Sequence, residues 1–241
     1  MTAVPSPDRR SAVEIAETLG SRRLVLLRHG RTAWNLEGRA QGHSDVTLDD
    51  TGRAQAAAAA PYLALLRPAA LWTSDLARAR ETASYVEAAT GLVATPDPRL
   101  REFDVGERAG LTVPEFAAKY PEAHALWASG HITGGVPGAE TVEEVAARMV
   151  PALREMLGSL EPGTTGIVVT HGACLKVSLV ALLGLPTEAD EAIFVMDNCG
   201  WATIAEHRSG RLRLSSYNET AHPGVLPPEG TPDFASDAPS G

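Results

Sequence analysis

The sequence predicts an α/β fold: a single domain arranged as a three-layer α/β/α sandwich around a mostly parallel central sheet. Three observations predict it. Short apolar β-prone runs alternate along the chain with longer helical stretches, the order that produces parallel strands joined by helices. Two of those runs, Arg23 to Leu27 and Gly166 to Thr170, are followed by a histidine-glycine pair, His29-Gly30 and His171-Gly172. The chain of 241 residues is long enough to bury one full core and does not demand a second domain.

Taken in order, residues 1–22 are polar and then weakly amphipathic, and are expected to be loosely ordered. Arg23 to Leu27 reads as a buried strand that delivers Arg28-His29-Gly30 at its carboxyl end. Thr51 to Leu66 is alanine-rich and helical, Ala69 to Thr73 is a short strand, and Asp75 to Ala89 is a helix that Gly91 ends. Leu92 to Thr95 is a further short strand, and Val113 to Ser129 suggests short helices interrupted by Pro121. Thr141 to Leu160 is a long helix, with a kink or break expected at Pro151. Gly166 to Thr170 is an apolar strand, and Cys174 to Leu183 the helix after it. Gly200 to Ala205 and Leu212 to Tyr217, around Arg208-Ser209-Gly210, suggest a hairpin or edge strands. These elements place the domain at 23–220. The remainder, 221–241, is rich in Pro, Gly, Asp and Ser and is expected to be disordered.

Composition narrows the partners. A net charge of -9 opposes binding to nucleic acid or to anionic membrane surfaces, both of which attract basic proteins. Two lysines, Lys119 and Lys176, stand against nineteen arginines in an alanine-rich chain, so a high arginine count alone says nothing about phosphate. Cys174 and Cys199 are too few for a disulfide framework and lack metal-ligand spacing; they read as free thiols in a reducing, cytoplasmic compartment. Residues 1–20 hold Arg9 and Arg10, but Glu14 and Glu17 interrupt the apolar run a secretory signal needs. The apolar stretch Val177 to Leu185 falls well short of the roughly 20 residues of a membrane helix.

In open α/β sheets ligands bind beyond the carboxyl ends of the strands, and His29 and His171 both fall at such ends, so they are placed to face one pocket. Transfer of a phosphoryl group needs a nucleophile, positive groups around the non-bridging oxygens, and an acid for the leaving oxygen. Arg28-His29-Gly30 sets an imidazole beside a guanidinium on a turn where glycine permits close approach. Alone, the tripeptide also fits a strand-end histidine beside a surface arginine.

The segment Arg28-His29-Gly30-Arg31-Thr32-Ala33-Trp34-Asn35, with Gln41-Gly42 and Leu48-Asp49-Asp50-Thr51-Gly52, resembles the signature of the histidine phosphatase (phosphoglycerate mutase-like) superfamily. Three further matches follow in the family's order: Ser74 to Ala83, containing Arg78; Leu100-Arg101-Glu102 with Gly106 and Gly110-Leu111-Thr112; and Val169-Thr170-His171-Gly172. The resemblance covers Arg23 to Tyr217. It implies that His29 accepts the phosphoryl group, that Arg28, Arg78 and His171 cradle its oxygens with Asn35, Gln41 and Gly172 alongside, and that Glu102 serves as acid and then as base. No cofactor and no metal are implied, since adjacent arginines repel a cation. Read without the resemblance, Arg78 pairs with Asp75 or Glu81 at helical spacing. Glu102 sits in a charge-dense loop where Glu107 and Asp104 are the alternative acids.

Two departures stand out. Arg31 occupies a place where Glu or Gln is frequent, and is a candidate for binding a second anionic group of a substrate; Arg108-Ala109 stand where an aromatic is frequent. Neither is expected to touch the core chemistry. Trp34, Trp72, Trp127 and Trp201 read as packing residues, and His43, His124, His131, His207 and His222 receive no role. The family divides into phosphatases and mutases, the mutases having a longer insertion before the second histidine. Glu102 and His171 lie 69 positions apart, the shorter kind, so a phosphatase acting on a small phosphorylated metabolite is favoured over a mutase and over a non-catalytic phosphate-binding relative. The compact insertion, Gln41-Gly42 and the arginine- and alanine-rich chain resemble actinobacterial members of the family that act on glucosyl-3-phosphoglycerate. A homodimer would be ordinary for the resemblance.

Overall fold

A computed structural model describes residues 21–221 apart from 131, 133 and 208, and the side chain of Glu188. Of the ends expected to be loosely ordered, 1–22 and 221–241, residues 1–20 and 222–241 lie outside the described residues, as do His131, His222 and the Arg208 of the expected turn. The observed elements are strand β1 (Arg23–Arg28), helices α1 (Ala33–Leu36) and α2 (Asp50–Leu65), strand β2 (Ala70–Thr73), helix α3 (Ala77–Thr90) and strand β3 (Thr95–Pro96). Helices α4 (Val113–Lys119), α5 (Pro121–Ala128) and α6 (Val142–Ser159), strand β4 (Thr165–Thr170), helix α7 (Gly172–Leu183) and strands β5 (Trp201–Glu206) and β6 (Leu212–Glu219) follow.

The six strands form one sheet in the order β3-β2-β4-β1-β5-β6. Strands β3, β2, β4 and β1 are parallel, whereas β5 runs antiparallel to β1 and pairs with β6 as the expected hairpin. Side-chain alternation on the central strands builds the two cores. Leu24, Leu26 and Val168 join Met149, Leu153, Leu175 and Leu179 of α6 and α7 on one face. Val25, Leu27, Ile167 and Val169 join Ala56, Ala59, Leu63, Ala79, Ala83 and Val86 of α2 and α3 on the other. A sheet apolar on both faces must be covered on both, which makes the three layers.

Three expectations shift. Helix α6 runs unbroken through Pro151. Proline removes the hydrogen bond to the carbonyl four residues back, but that carbonyl belongs to Ala147, which is exposed like Pro151 itself, so water can satisfy it while Met149, Leu153 and Met156 hold the buried face. The strand placed at Leu92 to Thr95 is only the two-residue β3, an edge strand ending in a proline. Ordered structure also reaches further at both ends. Arg22 donates to Leu160 O at 2.6 Å and pairs with Glu206, and Ala221 is buried in the second core.

Candidate active site

Register brings the two histidines together. Leu27 lies opposite Val169 and Arg28 opposite Thr170 in the parallel β1–β4 pair, so the next residues, His29 and His171, leave the sheet side by side. His29 N donates to Thr170 O at 3.0 Å, and the two rings lie 5.2 Å apart between centroids at 60°. Asn198 Nδ2 and Cys199 N, just before β5, both donate to His29 O. The backbone around His29 is therefore held from both flanking strands.

The His29 side chain is held in one tautomer. Its Nδ1 lies 2.7 Å from Gly30 O, and a carbonyl only accepts, so Nδ1 carries the proton and Nε2 keeps its lone pair. Burial, then the guanidiniums of Arg78 and Arg28, hold the His29 pKa well below the ordinary histidine value. The ring is neutral at physiological pH. Gly30 is fixed by its N–H to Thr82 Oγ1 at 3.0 Å, and a Cβ there would stand 2.5 Å from Gly52 O, so only glycine lets this turn close against the start of α2.

Arg78, in the first turn of α3, is buried and donates to Gly42 O and Ser44 O, each at 2.8 Å, and to His171 Nδ1 at 3.2 Å. It is not paired with Asp75, whose carboxylate binds Arg101, nor with Glu81, which binds Arg53. Burial lowers its pKa to about 10, so it stays charged. Since Arg78 only donates, His171 Nδ1 accepts and Nε2 gives its proton to Ser74 Oγ at 2.8 Å. Burial first, and then Arg78, keep the His171 pKa low as well. Arg28, at the end of β1, is buried and donates to Met196 O.

Glu102 is buried with its carboxylate at the start of α7. Oε1 accepts from Phe103 N at 3.0 Å and Cys174 N at 2.7 Å, and Oε2 accepts from Ala173 N at 3.0 Å. The helix N-terminus is a natural holder for such an anion. The backbone carbonyl of Glu102 accepts from His43 Nε2 and Arg148 Nη2, each at 2.8 Å. Of the alternative acids, Asp104 faces His43, its Oδ1 capping Gly106 N, and Glu107 accepts from Tyr120 Oη; neither lines the cleft.

One cleft, open to solvent, is lined by Arg28, His29, Asn35, Gln41, Arg78 and Glu102, together with Gly38, Arg39, Ala40, Gly42, Arg108 and Val113. Asn35 Oδ1 accepts from Thr32 N and from Thr32 Oγ1, both at 3.1 Å, which leaves Nδ2 as its donor. Gln41 is buried with no partner for its Oε1; rotating the amide would offer Nε2 there instead. His171 backs His29 without lining the cleft, and Gly172 lets Arg28 pass, since a Cβ would stand 3.2 Å from Arg28 Nε.

Arg31 meets a different fate from the second-anion role. Its Nε binds Asp49 Oδ2 and its Nη2 binds Thr51 Oγ1, each at 2.8 Å, so it braces the turn before α2 and does not line the cleft. Sequence reasoning missed His43, Ser74 and Thr82, which steady the site residues, and Arg108, which lines the cleft. For Arg108 a signal was present: an arginine where an aromatic is frequent, shortly before Phe116 and Trp127. Burial raises the Cys174 thiol pKa far above the usual value and pushes that of Cys199 up to about 12, so both thiols stay protonated. Among the described residues, no group of three His, Cys, Asp or Glu stands close enough to hold a metal ion, and no helix is long and apolar enough to cross a membrane.

A mostly parallel α/β sheet that sets two neutral histidines, two buried arginines and a carboxylate at its carboxyl edge defines a protein built to receive an oxyanion. Residues 24–220 match the histidine phosphatase superfamily (branch 1), and the chain belongs to that superfamily. The glucosyl-3-phosphoglycerate phosphatase of Mycobacterium tuberculosis is 37% identical over 215 residues, which cover 83% of this chain and 96% of that protein. A probable phosphoglycerate mutase GpmB from Cronobacter sakazakii is 33% identical over 198 residues, 82% of this chain and 91% of its own. The solved structure of a mycobacterial glucosyl-3-phosphoglycerate phosphatase with VO3 superposes with a TM-score of 0.75 at 38% identity, covering 83% of this chain and all of that one.

Proposed function

We propose that this chain hydrolyses a small phosphomonoester through a phosphohistidine on His29, with glucosyl-3-phosphoglycerate as the leading substrate. One observation carries the reading: the His29 Nδ1 proton is committed to Gly30 O, so the lone pair of a neutral ring stands at Nε2 in a cleft lined by Arg28 and Arg78. In the first step Nε2 attacks phosphorus, the bond to the ester oxygen breaks, and Glu102 gives that oxygen its proton. Arg28 and Arg78 neutralise the non-bridging oxygens, with Asn35 and Gln41 as neutral donors, and His171 holds Arg78 in place. In the second step the Glu102 carboxylate takes a proton from water, the water oxygen bonds to phosphorus, the P–N bond breaks, and phosphate leaves. Arginines supply the positive charge that a metal would otherwise bring, so neither step is assigned to one.

The substrate is supported by the relative named for it, identical to this chain at 37% of positions. A mutase is the second reading, supported by the relatives named GpmB; the span of 69 positions between Glu102 and His171 leaves little chain for a closing insertion and favours water as the acceptor. The homodimer implied by the family and a cytoplasmic setting suggested by two free thiols belong to the same proposal, and light scattering tests the former. The activity is tested by phosphate release in EDTA from glucosyl-3-phosphoglycerate, 3-phosphoglycerate, sugar phosphates, nucleotides and an aryl phosphate. Release that survives the chelator and vanishes in His29→Ala supports the reading. Interconversion of phosphoglycerates without release would establish the mutase, and phosphate binding with no turnover a non-catalytic relative.

A further inference from the structure

Glu102 stands in no helix or strand, and the backbone that carries it is held by side chains from other elements. Four consecutive carbonyls show this. Arg99 O, Arg101 O and Glu102 O accept from the Arg148 guanidinium at 2.9, 2.8 and 2.8 Å. Leu100 O accepts from Thr170 Oγ1 at 2.8 Å, and Glu102 O accepts from His43 as well. Carbonyls that no sheet ladder or helix satisfies need such partners when water is excluded.

Arg148 projects from α6, and all five of its N–H groups have acceptors. Three go to those carbonyls, while Nε and Nη2 bind Glu140 Oε1 and Oε2, each at 2.8 Å. Glu140, just before α6, returns to the same loop: its Oε2 accepts from Asp104 N at 2.8 Å, and its N–H reaches Asp104 O at 2.9 Å. Only a planar guanidinium can make this set of bonds, since an ammonium has three donors and no fixed fork. Arg148 does not line the cleft, so any action on a substrate passes through Glu102.

We infer that Arg148, braced by Glu140, is the positioning residue for the Glu102 carboxylate. The guanidinium fixes the backbone at Glu102 and just before it, and so sets the carboxylate against the first turn of α7 at the edge of the cleft. Ala173 N and Cys174 N of that turn have no partner within their own helix, and Glu102 is their acceptor. Proton transfer tolerates little displacement: a shift of about 1 Å can cost about 10²-fold in rate. The inference rests on the phosphomonoesterase reading and adds to it a residue 46 positions from the acid.

The test is a double-mutant cycle on an aryl phosphate, read by stopped-flow. Arg148→Met should keep a burst of about one equivalent per site while steady turnover falls about 10²-fold, with KM close to that of the full chain. In Glu102→Gln the same change should cost nothing further, because residues that act through one group are not additive. Unchanged turnover in Arg148→Met, a loss carried by KM, or a second full loss in the Glu102→Gln background overturns the inference. Should Arg148→Met fail to fold, Glu140→Gln takes its place, with about a tenfold fall expected and the same overturning results. Amide exchange followed by NMR reads the inference without turnover. The variant should speed exchange at Ala173 and Cys174 about tenfold beyond any change in β1, and a change no larger than that in β1 overturns it. If the full chain releases no phosphate, the phosphomonoesterase reading fails by itself, and the exchange result decides the inference.

Discussion

At the scale of single residues, the site rests on protons whose positions the geometry fixes. His29 must keep Nε2 unprotonated, and the Gly30 carbonyl does this by claiming Nδ1–H. In the proposed mechanism Glu102 must both give and take a proton. On an aryl phosphate, whose leaving group needs little help, Glu102→Gln should still form phosphohistidine but hydrolyse it slowly. Stopped-flow should then show a burst of about one equivalent per site and steady turnover down about 10²–10⁴-fold; a proportional loss of burst and turnover would remove Glu102 from the water step. The buried histidines also set a pH dependence. Their folded pKa values lie well below the unfolded value, so the unfolded chain binds more protons once pH falls below about 6.5. Stability is unaffected by them above that pH and falls below it, by up to about 1.4 kcal/mol per unit for each ring until its folded pKa is reached. His171→Gln should therefore lose less Tm than the parent between pH 7 and 5, and a parallel loss would contradict the assignment. Residue identities at this scale were legible as order: Arg28, His29, Arg78, Glu102 and His171 could be named, because each stands in a short contiguous motif. Arg108 showed only as an arginine where an aromatic is frequent, and His43 not at all, because its contact with the Glu102 carbonyl joins residues 59 positions apart.

At the scale of elements, the chain places chemistry at the ends of strands and the starts of helices. The β1–β4 register aligns the histidines, and the first turn of α7 supplies two of the three N–H groups on the Glu102 carboxylate. The strand runs and most helices were legible from periodicity, since burial on both faces of a parallel strand leaves an unbroken apolar run. Of the kink or break expected at Pro151, no break occurs, because propensity rules do not know which side of a helix faces water. The glycines were legible as turns but not as contacts. Gly52 opens α2 directly against the His29 turn, where a Cβ would lie 2.0 Å from Arg31 O. Gly52→Ala should displace that turn, cost more than about 2 kcal/mol by denaturant unfolding, and lower kcat with it; wild-type stability and kcat would show that the two segments part easily.

At the scale of the whole molecule, an acidic chain holds a cationic cleft. The net charge of -9 opposes contact with polyanions, while Arg28, Arg78 and Arg108 line one cleft, a separation of global and local field that suits a small anionic substrate. The three-layer architecture was legible because strand and helix alternate so regularly, and the class of chemistry because four motifs occur in one order. The cleft wall around Arg108 was not, since it is assembled from the acid loop, α4 and α5, whose mutual packing no local pattern encodes. The account as a whole turns on a covalent bond between His29 and phosphorus. That bond is acid-labile, so the decisive measurement is mass spectrometry of the chain quenched in alkali during turnover of an aryl phosphate by Glu102→Gln. One added phosphoryl group on the peptide containing His29, absent when His29 is replaced by alanine, is the predicted result. Turnover with no modified peptide, or with the group on another residue, would contradict it.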